Sequence, residues 1–414
     1  MPVETTAGRL GLHPLHRLWR VLPRRARRGL LLRGTALLAP RPDRPPPPAA
    51  PGLAVAGELA RASGLGEGAR LMLHALEVLG VPSWSVRAGL MAEDDGFYAG
   101  GGGAGRDAPP PPGVPLLLHV NAPQVPAALL RLGRAMVRGR RVVGFWVWEL
   151  PVAPESWRAG VPFVHEVWVP SRFAAAAMEP LLPGRVRVVP HPVALRPPRP
   201  AALDRAAFGL PAGAVVTLVA FNLASSLERK NPLAAIAAHR LAFGDRPDRV
   251  LLLKVGNPHH FPADFARLRA AAAGAPNVRF ETRTLPPADH HALIAASDIV
   301  LSLHRSEGFG LVLAEAMLLG RATVATGWSG NLDFMDPACA ALVPARLVPA
   351  RDPRGVYDAP GAVWAEPDVG EAAAALARLA DDAGARRELA AAGQEAARAR
   401  LGARGLARAL AGLR

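Results

Sequence analysis

The chain has 414 residues, half of them apolar, and a net charge of +15. That length suits two domains, and the apolar content suffices for two cores. Its single cysteine, Cys339, excludes an internal disulfide, and no apolar run reaches the roughly 18 residues needed to span a bilayer. No signal-peptide pattern stands out, so a cytoplasmic protein is expected.

The charge is uneven. Residues 1–50 hold ten arginines against Glu4 and Asp43, a net +8, and end in PRPDRPPPPAAP. This reads as a flexible basic extension with a stiff linker. It is either a solvated tail or an arm for peripheral contact with the inner face of the membrane. No aromatic stacking motif or binding module accompanies the basic arm, so nucleic acid is not an expected partner.

A first domain over 51–200 opens with the strand LAVAG (53–57), a glycine-bearing loop and a helix. A disordered-looking insert, GGGAGRDAPPPPG (101–113), precedes the strand VPLLLHV (114–120). A helix over 125–138 follows, then the strands RVVGFWVW (141–148) and EVWVP (166–170), a helix capped by Ser171, and the strand RVRVVPHPV (185–193). A linker over 196–211 leads to a second domain, 201–390, where the pattern restarts. Its strands are AVVTLVAF (214–221), RVLLLKV (249–255), VRF (278–280), IVLSL (299–303) and ATVAT (322–326). Helices fall between them, and an Ala-rich helical end begins near Glu371. Residues 391–414 are expected as a C-terminal helix packing back on the first domain. Strands alternating with helices at this spacing predict an α/β fold of two doubly wound, Rossmann-like domains facing across a cleft. Ligands bind outside the carboxyl ends of such strands.

Most chemistry-bearing residues sit there. In SEGFGLVLAEAMLLG (306–320) a strand delivers Glu307, Gly308 and Gly310 allow a tight turn, and a helix begins. The first amides of that helix form a seat for a diphosphate. Glu315, one turn inside, is placed to take both hydroxyls of a ribose, and Glu307 to face a transferred sugar. Of 49 basic residues only Lys230 and Lys254 are lysine. In a chain that writes arginine almost everywhere, a retained lysine marks a need for a compact ammonium. Lys230, in SSLERKN after a strand, suits charge building on a departing diphosphate. Lys254 either reaches the donor or caps the sheet. The Asp pairs at 94–95 and 381–382 and the His pairs at 259–260 and 290–291 lack metal-ligand spacing, so no metal site is expected.

EGFGLVLAE resembles the glutamate–seven residues–glutamate motif of retaining GT-B glycosyltransferases, chiefly family 4 (glycosyltransferase group 1). DIVLSLHRSEGFG and ATGWSGNLDFM (325–335) resemble its flanks. ASGLGEGAR (62–70), GFWVWELPVAPESW (144–157), EVWVPSRF (166–173), VRVVPHPV (186–193) and ERKNPLAAIAAHRLAF (228–243) resemble a subgroup acting on bacterial surface polysaccharides, mannosyltransferases among them. The similarity spans most of 52–335 and is unspecific after 345.

The resemblance implies transfer of a hexose, with retention, from a nucleotide sugar such as GDP-mannose or a UDP-sugar to a glycan, lipid-linked or small-molecule acceptor. It implies no cofactor and no bound metal. By position, Glu315 bonds the ribose, Glu307 the sugar hydroxyls, and the amides of Gly308, Phe309, Gly310 and Leu311 the diphosphate. Lys230 matches the base that neutralises the leaving phosphate. The family's further arginine falls near Ser225 here, so Arg229 or another base must substitute. Gly64, Leu65, Gly66 and Glu67 resemble the flexible loop near donor phosphates and acceptor, with a plain turn as the alternative for Glu67. His119 or Asn121 matches a polar position near the transferred sugar, and Asn121 is preferred as nearer the strand's carboxyl end. Glu149 faces the acceptor side. Trp146 and Trp148 are core or a sugar-stacking face, Asn331 belongs to a turn aiming amides at the donor, and His191 reads as structural. The rival reading is a catalytically inactive nucleotide-sugar-binding subunit of the same fold.

Overall fold

The computed structural model describes residues 24–61, 63–88, 105–357 and 359–413, and holds two six-stranded parallel sheets. In the first, β1 (Leu53–Gly57), β2 (Ser83–Arg87), β3 (Leu116–His119), β4 (Val142–Phe145), β5 (Glu166–Val169) and β6 (Val186–Val188) lie in the order β2-β1-β3-β4-β5-β6. LAVAG and LLLH are short unbroken apolar runs, buried along their length. Strands covered on both faces by helices read this way. The second sheet comprises β7 (Val215–Asn222), β8 (Arg249–Gly256), β9 (Val278–Glu281), β10 (Ile299–Ser302), β11 (Ala322–Thr326) and β12 (Ala341–Val343), ordered β12-β11-β10-β7-β8-β9. The strand order reverses between β1 and β3 in one sheet and between β7 and β10 in the other. Such reversals open a crevice at the carboxyl ends.

Those ends face each other. Ser171, just past β5, donates its hydroxyl to the Gly308 carbonyl beyond β10 at 2.6 Å. Beyond β6, His191 meets Phe309 edge to face at 5.0 Å, and Phe173 meets Trp328 at 4.9 Å. This is the architecture of two Rossmann-like domains across a cleft that the sequence predicts.

The termini differ from expectation in detail. The helices Val369–Asp381 and Ala383–Arg400 cover the second domain, so a boundary at 391 falls inside a helix. The chain crosses after Leu401, and the helix Arg404–Ala411 puts Leu406 and Ala409, with Leu413, into the first core beside Leu53, Val55 and Val143. At the other end, residues 24–50 carry structure of their own and touch the first domain. Arg24–Leu38 is a helix, and the strap after it lies on the first domain. His165 Nε2 lies 2.8 Å from the Asp43 carbonyl, and Gly139 N donates to Asp43 Oδ2 at 2.6 Å. Proline fits such a strap because its backbone donates nothing. The insert is likewise ordered over 105–113. Arg106 bridges to Trp84, and Arg140 donates to the carbonyls of Pro110, Pro111 and Val114. Residues 1–23 and 101–104 lie outside the described residues. The sequence reading omits β2, β12 and a hairpin of β13 (Ala345–Pro349) with β14 (Val363–Pro367).

Candidate active site

After β7 the chain makes a compact polar turn. Ser226 adopts φ 73° and caps the short helix Leu227–Lys230, its Oγ accepting from Arg229 N at 3.3 Å. Asn231, at φ 50°, stops that helix and starts the next at Pro232. The turn thereby aims Arg229 and Lys230 into the crevice between β7 and β10. There Lys230 Nζ donates to Glu307 Oε1, and Arg229 stands 3.2 Å from Glu307 Oε2. Arg229 also donates to the Ser306 carbonyl at 2.8 Å and lies 3.8 Å from Glu149 of the first domain. The Ser306 hydroxyl donates to the Glu149 carbonyl. Tyr357, from the β13–β14 hairpin, places its ring 5.4 Å from the Arg229 guanidinium and packs on Trp148.

Burial and charge compete in this cluster. Burial alone raises the Glu307 carboxyl, but Lys230 and Arg229 outweigh it and pull it down to about 2. Glu149 goes the other way: burial, reinforced by Glu307, pushes it up against the pull of Arg229. Burial lowers Lys230 despite its partner, while Arg229 is held charged by Tyr357, Glu307 and Glu149 against its burial. The result is a desolvated pair of cations with one firmly ionised carboxylate.

The glycine loop beside it is built by close approach. Gly310, at φ 101°, opens the helix Leu311–Leu318 without a side-chain cap. The first N–H groups of a helix have no partner inside it. A Cβ on Gly330 would stand 2.5 Å from the Gly308 carbonyl carbon, and one on Gly308 would stand 2.9 Å from the Trp148 carbonyl oxygen. Phe309 is buried, and Glu315 is half-buried with its Oε1 3.8 Å from His291 Nε2.

Glu307, Lys230, Arg229 and Glu149 thus converge, next to the loop Gly308–Leu311. The other expected residues have partners of their own in the fold. Asn121 Oδ1 accepts from Val147 N at 2.8 Å, tying the exit of β3 to that of β4. His119 is buried under Gly57 and stacked on Phe145 at 4.4 Å. Gly64, Gly66 and Glu67 form the first turn of the helix Gly64–Val78, capped by Ser63. Glu67 pairs with Arg70 at 2.6 Å, and Arg70 donates to the Leu59 carbonyl at 2.7 Å, so Glu67 braces its own loop. Lys254 donates to the Arg283 carbonyl at 2.8 Å at the end of its sheet, and its charge also reaches His290. The buried side chain of Asn331 fastens its turn, donating to the Thr326 carbonyl and meeting His304 Nε2, each at 3.1 Å. Trp146 and Trp148 both pack against Trp157 as core. Tyr357 is absent from the sequence reading, which holds Ser306 only as the start of its motif and His291 only in a pair without metal-ligand spacing. Tyr357 lies in a proline- and glycine-rich stretch without periodicity, and only its rarity, as one of two tyrosines, flags it.

Among the described residues no group of three His, Cys, Asp or Glu side chains gathers closely enough to hold a metal ion. Residues 225–382 match the family described as Glycosyl transferases group 1. No curated protein matches the sequence. Among solved structures the fold is similar to that of HepE from Anabaena in complex with UDP and glucose. The TM-score is 0.60 and the identity 14%, over 88% of this chain and 100% of that one. It is also similar to sucrose-phosphate synthase from Thermosynechococcus elongatus, with TM-score 0.62 and 18% identity over 88% and 98% of the chains. A glycosyltransferase from Rickettsia africae gives TM-score 0.58 and 13% identity over 85% and 93%.

Proposed function

We propose that this chain, a glycosyltransferase by its group 1 match and two-sheet fold, transfers a mannose- or glucose-type hexose with retention of configuration. The donor is a nucleoside-diphosphate sugar, and the acceptor a glycan, lipid-linked or small-molecule hydroxyl. The observation that carries this reading is the buried pair of Arg229 and Glu307, with the half-buried Lys230, beside an uncapped helix start. The reaction breaks the bond from the anomeric carbon to the diphosphate and forms one to the acceptor oxygen. The acceptor proton leaves with the diphosphate. Negative charge therefore builds on the leaving group, where Lys230 and the first amides of Leu311–Leu318 stabilise it without reorganising. Glu307, ionised at any working pH, accepts from sugar hydroxyls. Glu315 accepts from the ribose. No metal or other cofactor is required by this arrangement of charges.

Donor identity is tested by thermal shift with UDP, GDP and ADP on the wild type and Glu315→Ala. UDP is the first probe because HepE binds it. One nucleotide should raise the melting temperature of the wild type and not of the variant. A chain that binds the nucleotide but turns over no sugar conjugate would be an inactive binding subunit. Anomeric configuration of the product, read by NMR, tests retention.

A peripheral membrane contact at the cytoplasmic face belongs to the same proposal. No helix among the described residues is long and apolar enough to cross a membrane. The helix Arg24–Leu38 nevertheless exposes Leu30, Leu31, Leu37 and Leu38 beside Arg33. Exposed leucines among arginines suit an anionic lipid surface. Sedimentation with phosphatidylglycerol vesicles, lost on deleting residues 1–38 and absent with phosphatidylcholine, is the expected result; equal sedimentation with both lipids would refute it.

A further inference from the structure

His291 lies on the helix Pro287–Ala296, half-buried, where three parts of the molecule meet. Its Nε2 is 3.8 Å from Glu315 Oε1 on the donor-side helix. Its Nδ1 accepts from the backbone N–H of Arg199 at 3.1 Å, with the Arg199 carbonyl at 3.3 Å. Arg199 belongs to the segment joining the two domains, and Ala201 N pins that segment to the same helix through the Ala288 carbonyl at 2.9 Å. From the first domain, Glu67 adds its negative charge to the field at the ring.

The Arg199 amide decides the tautomer. A neutral ring that accepts at Nδ1 carries its hydrogen on Nε2, toward Glu315. A protonated ring keeps that hydrogen and turns Nδ1 into a donor to the Arg199 carbonyl. In both states Nε2 offers a donor to Glu315. A carboxylate that must take two neighbouring hydroxyls needs its plane held, and this contact restrains it.

We propose that His291 is the positioning residue for Glu315, and that through Arg199 it links nucleotide ribose binding to the segment between the domains. This rests on the reading of Glu315 as the ribose carboxylate. The groups facing the ring are Glu315 and Glu67, with His290 next to it at 6.4 Å between ring centres. The two carboxylates raise His291 against its burial.

The test uses the full chain and whichever of UDP, GDP or ADP stabilises it, compared with its 2′-deoxy counterpart. The wild type should prefer the ribonucleotide about tenfold, the worth of one hydrogen bond to a charged acceptor. Glu315→Ala should abolish that preference. His291→Ala should reduce it severalfold, weakening the ribonucleotide more than its 2′-deoxy counterpart, and His291→Asn, which keeps an N–H donor, should restore part of it. In turnover the donor KM should rise in His291→Ala with kcat unchanged. Full ribose preference in His291→Ala would overturn the role of His291 alone. No preference in the wild type, or its survival in Glu315→Ala, would overturn the ribose reading and this inference with it.

Discussion

The two domains present opposite chemistry to the cleft. The second offers Arg229 and Glu307, buried and charged, with the half-buried ammonium of Lys230. The first offers a column of rings: His119 on Phe145 at 4.4 Å, Phe145 to His191 at 5.1 Å, and His191 against Phe309 of the other domain. Burial drives both histidines down, His191 to about 4, so both rings are neutral near pH 7. Glu149 is the one carboxylate the first domain brings to the Arg229 cluster among the described residues. A ring wall supplies shape and low dielectric, and low dielectric strengthens the fixed charges opposite. The lesson is a division of labour: one wall carries the charge, the other excludes the water that would screen it.

The largest effect should come from Arg229→Ala. It strips a cation from between the buried Glu307 and the half-buried Glu149, and leaving a buried charge unpaired typically costs about 3–5 kcal/mol. Urea unfolding measures it, and a loss under 1 kcal/mol would mean that Arg229 is not the brace of the charged wall. Next is Lys230→Ala, expected to lower kcat about 100- to 1,000-fold at saturating donor. His119→Leu should lower it far less, and equal losses would erase the contrast between the walls. Gly330→Ala follows, since its methyl would meet the Gly308 carbonyl carbon at 2.5 Å and the Glu307 carbonyl oxygen at 2.9 Å. Displacing that backbone should weaken nucleotide binding and cost about 1–3 kcal/mol.

The smallest effect concerns acid. A histidine lowered by folding binds its proton in the unfolded chain first. Its neutral state is fully accommodated above the ordinary value of 6.5, and stability falls as pH drops from there to about 4 for His191. The expected loss at pH 5.5 is about 1 kcal/mol per such histidine. Glu307 behaves oppositely in range: its contribution is full above 4.5 and is lost as pH falls through about 2. The ring wall should therefore weaken at milder acid than the charged wall. His239, buried in the second core and also lowered to about 4, adds to the slope. The comparison is consequently between wild type and His191→Leu, which should lose one histidine's share of it.

The charged wall was the legible one. Glu307 and Glu315 stand in a strand–glycine–helix context, and Lys230 stands out in a chain of arginines, so residue type and position agreed. Arg229, the sequence's own candidate for the arginine missing near Ser225, turns toward Glu307 and Glu149, an orientation that only the fold displays. β11 reads from ATVAT to the residue because its run is unbroken. The β13–β14 hairpin does not, because ARLVP is largely exposed and PRGVYDAPGAVW has the composition of a loop. Yet that hairpin brings Tyr357 to Arg229. Glu67 and Lys254 each have a partner that sequence spacing does not display, Arg70 for the one and the Arg283 carbonyl for the other.

The crossing after Leu401 has a mechanical meaning. Two bodies joined by one strand can turn about any axis through the joint. Here the backbone passes between the domains twice, near Arg199 and again before Arg404, and Leu406, Ala409 and Leu413 anchor the return. Two joints leave one easy axis, the line through both. Any turning of one domain on the other would then be a swing about that line, which would bring Lys230 and the ring wall back to the same register.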